Sequence, residues 1–285
     1  MANPILFGSI KVVIRGGGDL GSGVAYRLVR AGFPVLIAEL AQPLLVRRRV
    51  SYGSAVIEGE MEVEGLRAIR VAALDAAQTA QTAGLLPVIV DPDGVMFAEY
   101  APAVLVDARL LKKAVEQPYA APLTIGLGPG FQAGLNCDAV IETNRGHNLG
   151  RVITQGAPEP NTGIPGQIAG KTVDRVLRSP SDGIVRGLVP IGAQVEPGQT
   201  VAEVDGMQVV APFAGVLRGL VHDGLSVHQG MKIGDVDARG KEANCLTISD
   251  KALAVGGGVV EAVFGSPAIR ALIYQSVHLG DVGTL

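Results

Sequence analysis

The sequence predicts an α/β protein in two parts: a doubly wound, mostly parallel sheet, then a small all-β module. Two observations carry this. Through the first half, β-branched runs alternate with helical stretches, the pattern of strands joined by crossover helices. Further on, one stretch is written twice, thirty-two residues apart and without a gap. Pro180, Gly183, Arg186, Gly187, Leu188, Val189, Gly192, Val195, Gly198, Val204 and Asp205 recur as Pro212, Gly215, Arg218, Gly219, Leu220, Val221, Gly224, Val227, Gly230, Val236 and Asp237. Short valine-rich strands between glycine turns, repeated once, predict a β domain closed by pseudo-twofold packing of its halves. The expected units are residues 1–150, a connector over 151–178, the repeat over 179–240, and a segment over 241–285 that packs back on the first unit.

The first unit opens with a strand at Lys11 to Arg15 that runs into Gly16-Gly17-Gly18-Asp19-Leu20-Gly21, then a helical stretch from Val24 to Arg30. Gly32 sits where a helix C-cap belongs, and Pro34 to Ala38 gives a second strand ending at Glu39. Gly16, Gly18 and Gly21 have the G-x-G-x-x-G spacing of a Rossmann-like loop: a tight turn, close backbone approach to a pyrophosphate, and close helix–strand packing. Glu39 either accepts hydrogen bonds from a ribose diol, which favours NAD(H) over NADP(H), or ends its strand in solvent. Asp19 would repel phosphate if it pointed inward, so it faces outward or caps the helix.

Further strands are expected at Ala68 to Val71, Leu86 to Val90, Ala103 to Val106, Leu123 to Leu127 and Ala139 to Glu142, with helices at Asp75 to Ala83 and Leu110 to Glu116. Ligands of such sheets sit beyond the carboxyl ends of the strands. That places Asp91, Asp107, the loop of Gly126, Gly128 and Gly130, and the run Glu142 to His147 near a site. Asp91 precedes Pro92 and could simply start a turn, and Asp107 could pair internally with Arg109. The three loop glycines offer either a second backbone cradle for an anion or a plain turn. Residues 155–170 read as an irregular link. After the repeat, a triple glycine at 256–258 precedes a short expected helix, Val259 to Phe264, and the residues after Gln275 read as a frayed end.

The repeat resembles the biotinyl/lipoyl domain, a barrel-sandwich of two such halves. That family displays a carrier lysine on the hairpin between them, typically within Met-Lys-Met. Here the hairpin reads Gly206-Met207-Gln208-Val209. Gln208 stands where the lysine would be, and an amide offers no nucleophilic amine, so no covalent biotin or lipoate is expected.

The whole chain bounds the rest. With 285 residues it is long enough for two cores, and 48% apolar against 18% charged residues marks a globular protein. A net charge of −3 argues against general binding to nucleic acid or membrane surfaces. The basic run Arg47-Arg48-Arg49 is either a solvated helix face or a contact to a ligand phosphate. No apolar stretch reaches the roughly eighteen residues of a membrane span. Met1 to Ser9 lacks a charged region and an apolar core, so no signal peptide is expected and the cytoplasm is the expected location.

The chain also resembles the YqeB-type accessory proteins of the selenium-dependent molybdenum hydroxylase system. The resemblance rests on RGGGDLGSGVAYRLVRAGF, on IGLGPGFQAG followed by ETNRGHNLGRVI, on NTGIPGQIAG, and on NCLTISDKALAVGGGVVEA. It implies a Rossmann-type domain and a role in maturing molybdenum hydroxylases, with selenium or sulfur delivery to the metal centre as one form of that role. The hydroxylase or its maturation machinery is then the expected partner, and a dinucleotide form of the molybdenum cofactor is a candidate ligand beside NAD(H). If sulfur or selenium passes through the chain, Cys245 is the candidate thiolate, having Lys241 and Lys251 nearby in sequence; the other reading is a small buried residue. Cys137, beside Asp138, is the weaker candidate.

The four histidines are scattered, and with no His-x-x-x-His or Cys-x-x-Cys pair no metal site is expected. His222 and His228 read as surface turns. Arg145 and Gly146, with His147, either hold an anionic substrate or place the following chain. A true NAD-dependent oxidoreductase would need an acid or base near the nicotinamide, for which Asp107, His147 and Glu142 are the candidates. A non-catalytic scaffold is the third reading. Self-association is expected from paired β modules, without a fixed number of subunits.

Overall fold

The computed structural model describes residues 4–113, 119–161 and 173–280. The first large sheet is built from β1 (Val12–Arg15), β2 (Val35–Glu39), β3 (Glu60–Val63), β4 (Leu66–Val71), β5 (Leu86–Val90), β6 (Val104–Asp107), β7 (Leu123–Leu127), β8 (Ala139–Ile141) and β9 (Val152–Ile153). Their order across this nine-stranded sheet is β3-β4-β5-β2-β1-β6-β7-β8-β9. The outer pairs β3–β4 and β8–β9 run antiparallel, and the other neighbours are parallel.

Strand side chains alternate between two faces, and both faces are covered. Val12, Ile14, Val35, Ile37, Val104 and Val106 join the core beneath α1 (Asp19–Arg30). Val13, Leu36, Ile89 and Leu105 face the opposite side, where Ala77 and Ala80 of α3 (Leu74–Thr82) follow the short α2 (Ala55–Glu58) in the chain; Phe97 and Tyr100 of α4 (Phe97–Tyr100) complete that layer. Burying each of the larger aliphatic side chains contributes roughly 1.5–3 kcal/mol, and this double coverage explains why β1 and β2 are apolar without alternation.

Residues 176–237 form two four-stranded antiparallel sheets. Their strands are β10 (Val176–Arg178), β11 (Gly183–Gly187), β12 (Gln194–Val195), β13 (Thr200–Val204), β14 (Met207–Val210), β15 (Gly215–Leu220), β16 (Ser226–Val227) and β17 (Lys232–Asp237). The sheet orders are β10-β17-β15-β12 and β14-β13-β11-β16. Advancing thirty-two residues turns β10, β11, β12 and β13 into β14, β15, β16 and β17, so the sequence repeat exchanges the two sheets, each drawing strands from both halves. Val185, Val195, Val204, Leu217, Val227 and Val236 fill one core between them. Gly192 and Gly224 recur because both turns need a positive φ, +102° and +80°. Gln208 lies exposed on β14, just past the Asp205-Gly206 turn, whose φ values of 45° and 84° are those of a type I′ hairpin.

The chain then makes α5 (Ala243–Leu246), α6 (Asp250–Gly265) and α7 (Pro267–Gly280). Here the structure corrects the sequence reading. The triple glycine does not precede a short helix but lies inside α6. A Cβ on Gly256 would stand 2.5 Å from the carbonyl oxygen of Gly23 in α1, and one on Gly258 would stand 2.2 Å from that of Gly150. Close backbone approach therefore offsets the roughly 1 kcal/mol that each helical glycine costs against alanine. Of the expected frayed end, residues 276–280 are instead part of α7, and 281–285 lie outside the described residues. The helix expected at Leu110 to Glu116 does not form at 110–113, where Leu110 has a φ of 57°, and 114–118 lie outside the described residues. NTGIPGQIAG, apart from Asn161, also lies outside them. Among the described residues no single helix is long and apolar enough to cross a membrane.

Candidate functional site

The glycine loop is built as a structural joint. Gly16 takes a φ of +96°, and a Cβ on Gly21 would sit 2.0 Å from the carbonyl oxygen of Gly16, so α1 starts in contact with the end of β1. The chain roofs its own loop: Gly53 N–H donates to the Gly17 carbonyl at 2.9 Å, and a Gly17 Cβ would lie 2.7 Å from the Cα of Gly53. Ser22 Oγ accepts from Tyr52 N–H at 2.8 Å and donates to the Gly17 carbonyl at 3.0 Å.

Glu39 belongs to the same joint. Its side chain is buried, and burial pushes its carboxyl up despite two backbone donors. Oε2 accepts from Gly17 N–H at 2.7 Å and Oε1 from Leu40 N–H at 2.8 Å. The acid expected either to meet a ribose diol or to end its strand in solvent is thus buried, with both oxygens engaged by backbone N–H groups.

Several other expected site residues are also engaged in structure. Asp107 is buried at the end of β6, where Arg109 donates to it from Nε at 3.0 Å and from Nη2 at 2.6 Å, with Arg15 3.9 Å away. Gly126 makes room for Phe131, and Gly130 for the carbonyl of Leu111; neither is in the lining of the cleft described below. Gly128, at φ +81°, leaves space for Thr143. Asp91 caps the turn after β5, accepting from Val95 and Met96 N–H groups at 2.9 and 3.0 Å. Arg145 lines the cleft described below and makes a bidentate pair with Asp250, both contacts at 2.7 Å, which holds the Asp250 carboxyl well below its usual range. Gly146 and His147 are exposed beside it, outside the cleft described below.

Cys245 is 1% exposed, with Sγ 3.9 Å from the carbonyl of Leu217, and burial pushes its thiol up. Cys137 is buried as well, its thiol pushed up to about 11. Neither sulfur is presented to a partner in this fold. His222, expected in a surface turn, is buried and bonded to Arg48, while His228 is exposed.

What the structure brings together is a cleft of about 500 Å³ at the carboxyl edge of the large sheet. Gly18 and Asp19 after β1, Ala108 after β6, Pro129 after β7 and Glu142 at the end of β8 form one wall. Arg218 and Lys232 of the antiparallel sheets, with Arg175 and Asp235, form the facing wall, and Ser249 and Lys251 at the start of α6 close one end. Cations outnumber carboxylates in this lining. Glu142 is engaged at its own turn, accepting from the N–H groups of Asn144 at 2.6 Å and Glu159 at 2.7 Å. Asp19 lies inside the cleft, not outward, and accepts from Arg47 Nη1 at 3.0 Å; Arg47 also donates to the Asn244 carbonyl at 2.8 Å.

Arg218, Lys232 and Lys251 escaped the sequence reading. The repeat held a signal for two of them, since Arg218 recurs from Arg186 while Lys232 replaces Thr200. Which copy faces a ligand is a property of docking, which a repeat cannot announce. Lys251 carried no signal beyond its place two residues after Ser249, the N-cap that accepts from Ala252 N–H at 3.1 Å. Among the described residues no group of three or more His, Cys, Asp or Glu side chains is placed to hold a metal ion.

Fold and cleft together define an α/β protein with a cationic cleft at the carboxyl edge of a mostly parallel sheet. In sequence the chain is similar to the uncharacterized protein YqeB of Escherichia coli strain K12, with 47% identity over 253 residues, covering 88% of this chain and 47% of that protein. This likeness supports membership of the YqeB family, and the chain spans about half the length of that relative. No family model matches the chain. Among solved structures it is similar to an aspartoacylase family protein from Mesorhizobium loti MAFF303099, at 13% identity over 80% of this chain and 84% of the other, with a TM-score of 0.26 that carries no argument.

Proposed function

We propose that this chain binds a phosphate-bearing, nucleotide-containing small molecule in the cationic cleft, and that it serves as an accessory protein in the maturation of selenium-dependent molybdenum hydroxylases. The observation that carries the binding half is the excess of Arg and Lys in a cleft flanked by the starts of two long helices, α1 and α6, whose dipoles favour anions. The maturation half is supported by the YqeB-type sequence runs and by the 47% identity to a YqeB protein. In this reading the nine-stranded sheet is a Rossmann-like layout, and the paired sheets are a barrel-sandwich module that carries no cofactor because Gln208 replaces the lysine. On the same reading a pyrophosphate-containing ligand such as a molybdenum cofactor dinucleotide comes ahead of NAD(H), because Glu39, the expected ribose acceptor, is buried and bonded to the Gly17 and Leu40 N–H groups. Selenium or sulfur delivery is not assigned in this reading to Cys245, which is buried.

The test is the unfolding midpoint of the protein with CMP, CTP, ATP, NAD, NADH, NADP and NADPH. A ligand at a hundred times its dissociation constant stabilises the fold by about 2.7 kcal/mol. Stabilisation by one or more nucleotides, strongest for cytidine compounds, is expected. A midpoint that none of them moves would sink the reading.

A further inference from the structure

We propose that Arg218, Lys232 and Lys251 form an oxyanion site for a phosphate or diphosphate group at the start of α6, and that Asp19 keeps that group off the glycine loop. The inference rests on the cleft being a ligand site and specifies where in it the ligand's charge is held.

Arg218 gives the first observation. Its side chain is 8% exposed, its Nε has no hydrogen-bond partner, and its carboxylate neighbours Asp235 and Asp237 stand 3.7 Å away, beyond hydrogen-bond distance. Nε is enclosed on the Asp237 side, but the guanidinium lines the cleft and, among the described residues, makes no hydrogen bond within the protein, so an incoming oxyanion would satisfy its remaining donors. The second observation is its company. Among the described residues, Lys232 and Lys251 line the same cleft without a hydrogen bond or ion pair to any side chain. Desolvation lowers the proton affinity of each; Arg175 and Arg218 add to this for Lys232 against Asp235 and Asp19, and Arg145 and Lys232 add to it for Lys251 against Asp19 and Glu142. Both helix starts favour an anion, but they are not equivalent. Asp19 supplies α1 with an internal carboxylate, already paired with Arg47. The start of α6 also carries a carboxylate, Asp250, but it is paired with Arg145 and does not line the cleft, whereas Lys251 does, beside the unpaired Lys232.

The duplication isolates this role. Arg186 and Glu203 are the repeat counterparts of Arg218 and Asp235, and they form the same cross-strand pair at 4.0 Å. Arg186, however, is 75% exposed on the sheet away from the cleft. The same residue in the same strand position is thus a surface charge in one half and a cleft wall in the other. Three cations converging on one volume match a tetrahedral oxyanion, whether it arrives as inorganic diphosphate or as the phosphates of a nucleotide.

Calorimetric titration of the whole chain with inorganic pyrophosphate and with CTP tests this. Lys232→Gln combined with Lys251→Gln should weaken both ligands at least tenfold, whereas Lys232→Arg with Lys251→Arg retains most of the affinity. Arg186→Gln should stay within twofold of the parent, and Asp19→Asn should bind pyrophosphate more tightly. Ligand-free melting and circular dichroism of each variant establish that it is folded. Equal weakening by Arg186→Gln, or undiminished binding in the glutamine double variant, overturns the proposal. CTP binding that ignores the two lysines would leave the nucleotide reading standing and sink this one. Lysine-dependent pyrophosphate binding with no nucleotide bound would do the reverse. Absence of binding by both ligands overturns both.

Discussion

Two buried residues show how side chains with chemical potential are spent on architecture here. Glu39 and His222 are each the kind of group that sequence reasoning assigns to a ligand or to a surface turn, and each instead fastens one segment to another. His222 accepts from Arg48 Nη1 through Nδ1 at 3.1 Å, which leaves its Nε2–H to face Ser54 Oγ at 3.4 Å. Burial and then the Arg48 charge push its pKa down to about 4, against which Asp223 works in the opposite direction, and Glu58 lies 3.7 Å from Nδ1. The unfolded chain therefore takes up this proton first on acidification. The imidazole's contribution is complete above the unfolded value near 6.5 and is lost as pH falls from there toward 4. The loss is on the order of 2 kcal/mol. His222→Gln keeps an acceptor for Arg48 and a donor for Ser54 but does not titrate. Urea denaturation at pH 7 and pH 4.5 should show a smaller acid loss in the variant than in the parent, and parallel losses would refute the assignment.

At the scale of elements, the chain's glycines decide which helices can touch. In α6 the neighbours Gly256 and Gly257 have the same local sequence and opposite surroundings. A Cβ on Gly256 meets the fixed carbonyl of Gly23 at 2.5 Å, whereas one on Gly257 has nothing within 4 Å. Gly257→Ala should therefore stabilise the protein by about 0.5–1 kcal/mol through helix propensity. Gly256→Ala gains the same propensity but forces α1 and α6 apart, an overpacking cost of roughly 1–3 kcal/mol, so a net loss is expected. Thermal unfolding of the two single variants measures both, and equal shifts would dismiss the close crossing. This contrast also explains what the sequence could and could not tell. Strands such as Leu86–Val90 and Leu123–Leu127 were legible because their aliphatic runs reflect burial on both faces. Most of α6 was not, because three consecutive glycines read as a break and the helix that tolerates them depends on Gly23 and Gly150 elsewhere in the chain. The β3–β4 hairpin carried a readable signal that was passed over, in the alternation of Glu60-Met61-Glu62-Val63 and the Glu64-Gly65 turn with φ values of 49° and 78°. The glycine loop was legible as a loop, but its use was not, because Gly53 and the inward turn of Glu39 are tertiary facts.

At the scale of the molecule, two separate cores are bridged by the segment 46–50 and by α5, and the cleft exists only while they are. In α5, Cys245 faces the Leu217 carbonyl and the Asn244 carbonyl accepts from Arg47. Val50 belongs to the core of the large sheet and Val46 packs against the core of the antiparallel sheets. Between them Arg47 reaches Asp19 and Arg48 reaches His222. The seat of this segment on the antiparallel sheets is Gly219, where a Cβ would come within 2.5 Å of the Val46 carbonyl oxygen. Backbone stands on both sides of that contact, so no side-chain rotation relieves it. Gly219→Val should therefore displace the antiparallel sheets from the large one while leaving each core intact. Because Arg218 and Lys232 come from one body and Asp19 and Ala108 from the other, that displacement would also dismantle the cleft. The parent chain is expected to melt in one calorimetric transition, with the van't Hoff and calorimetric enthalpies equal. The variant is expected to melt in two, with neither transition raised by pyrophosphate. A variant that still unfolds in one step and still responds to pyrophosphate would show that the two bodies are held together elsewhere.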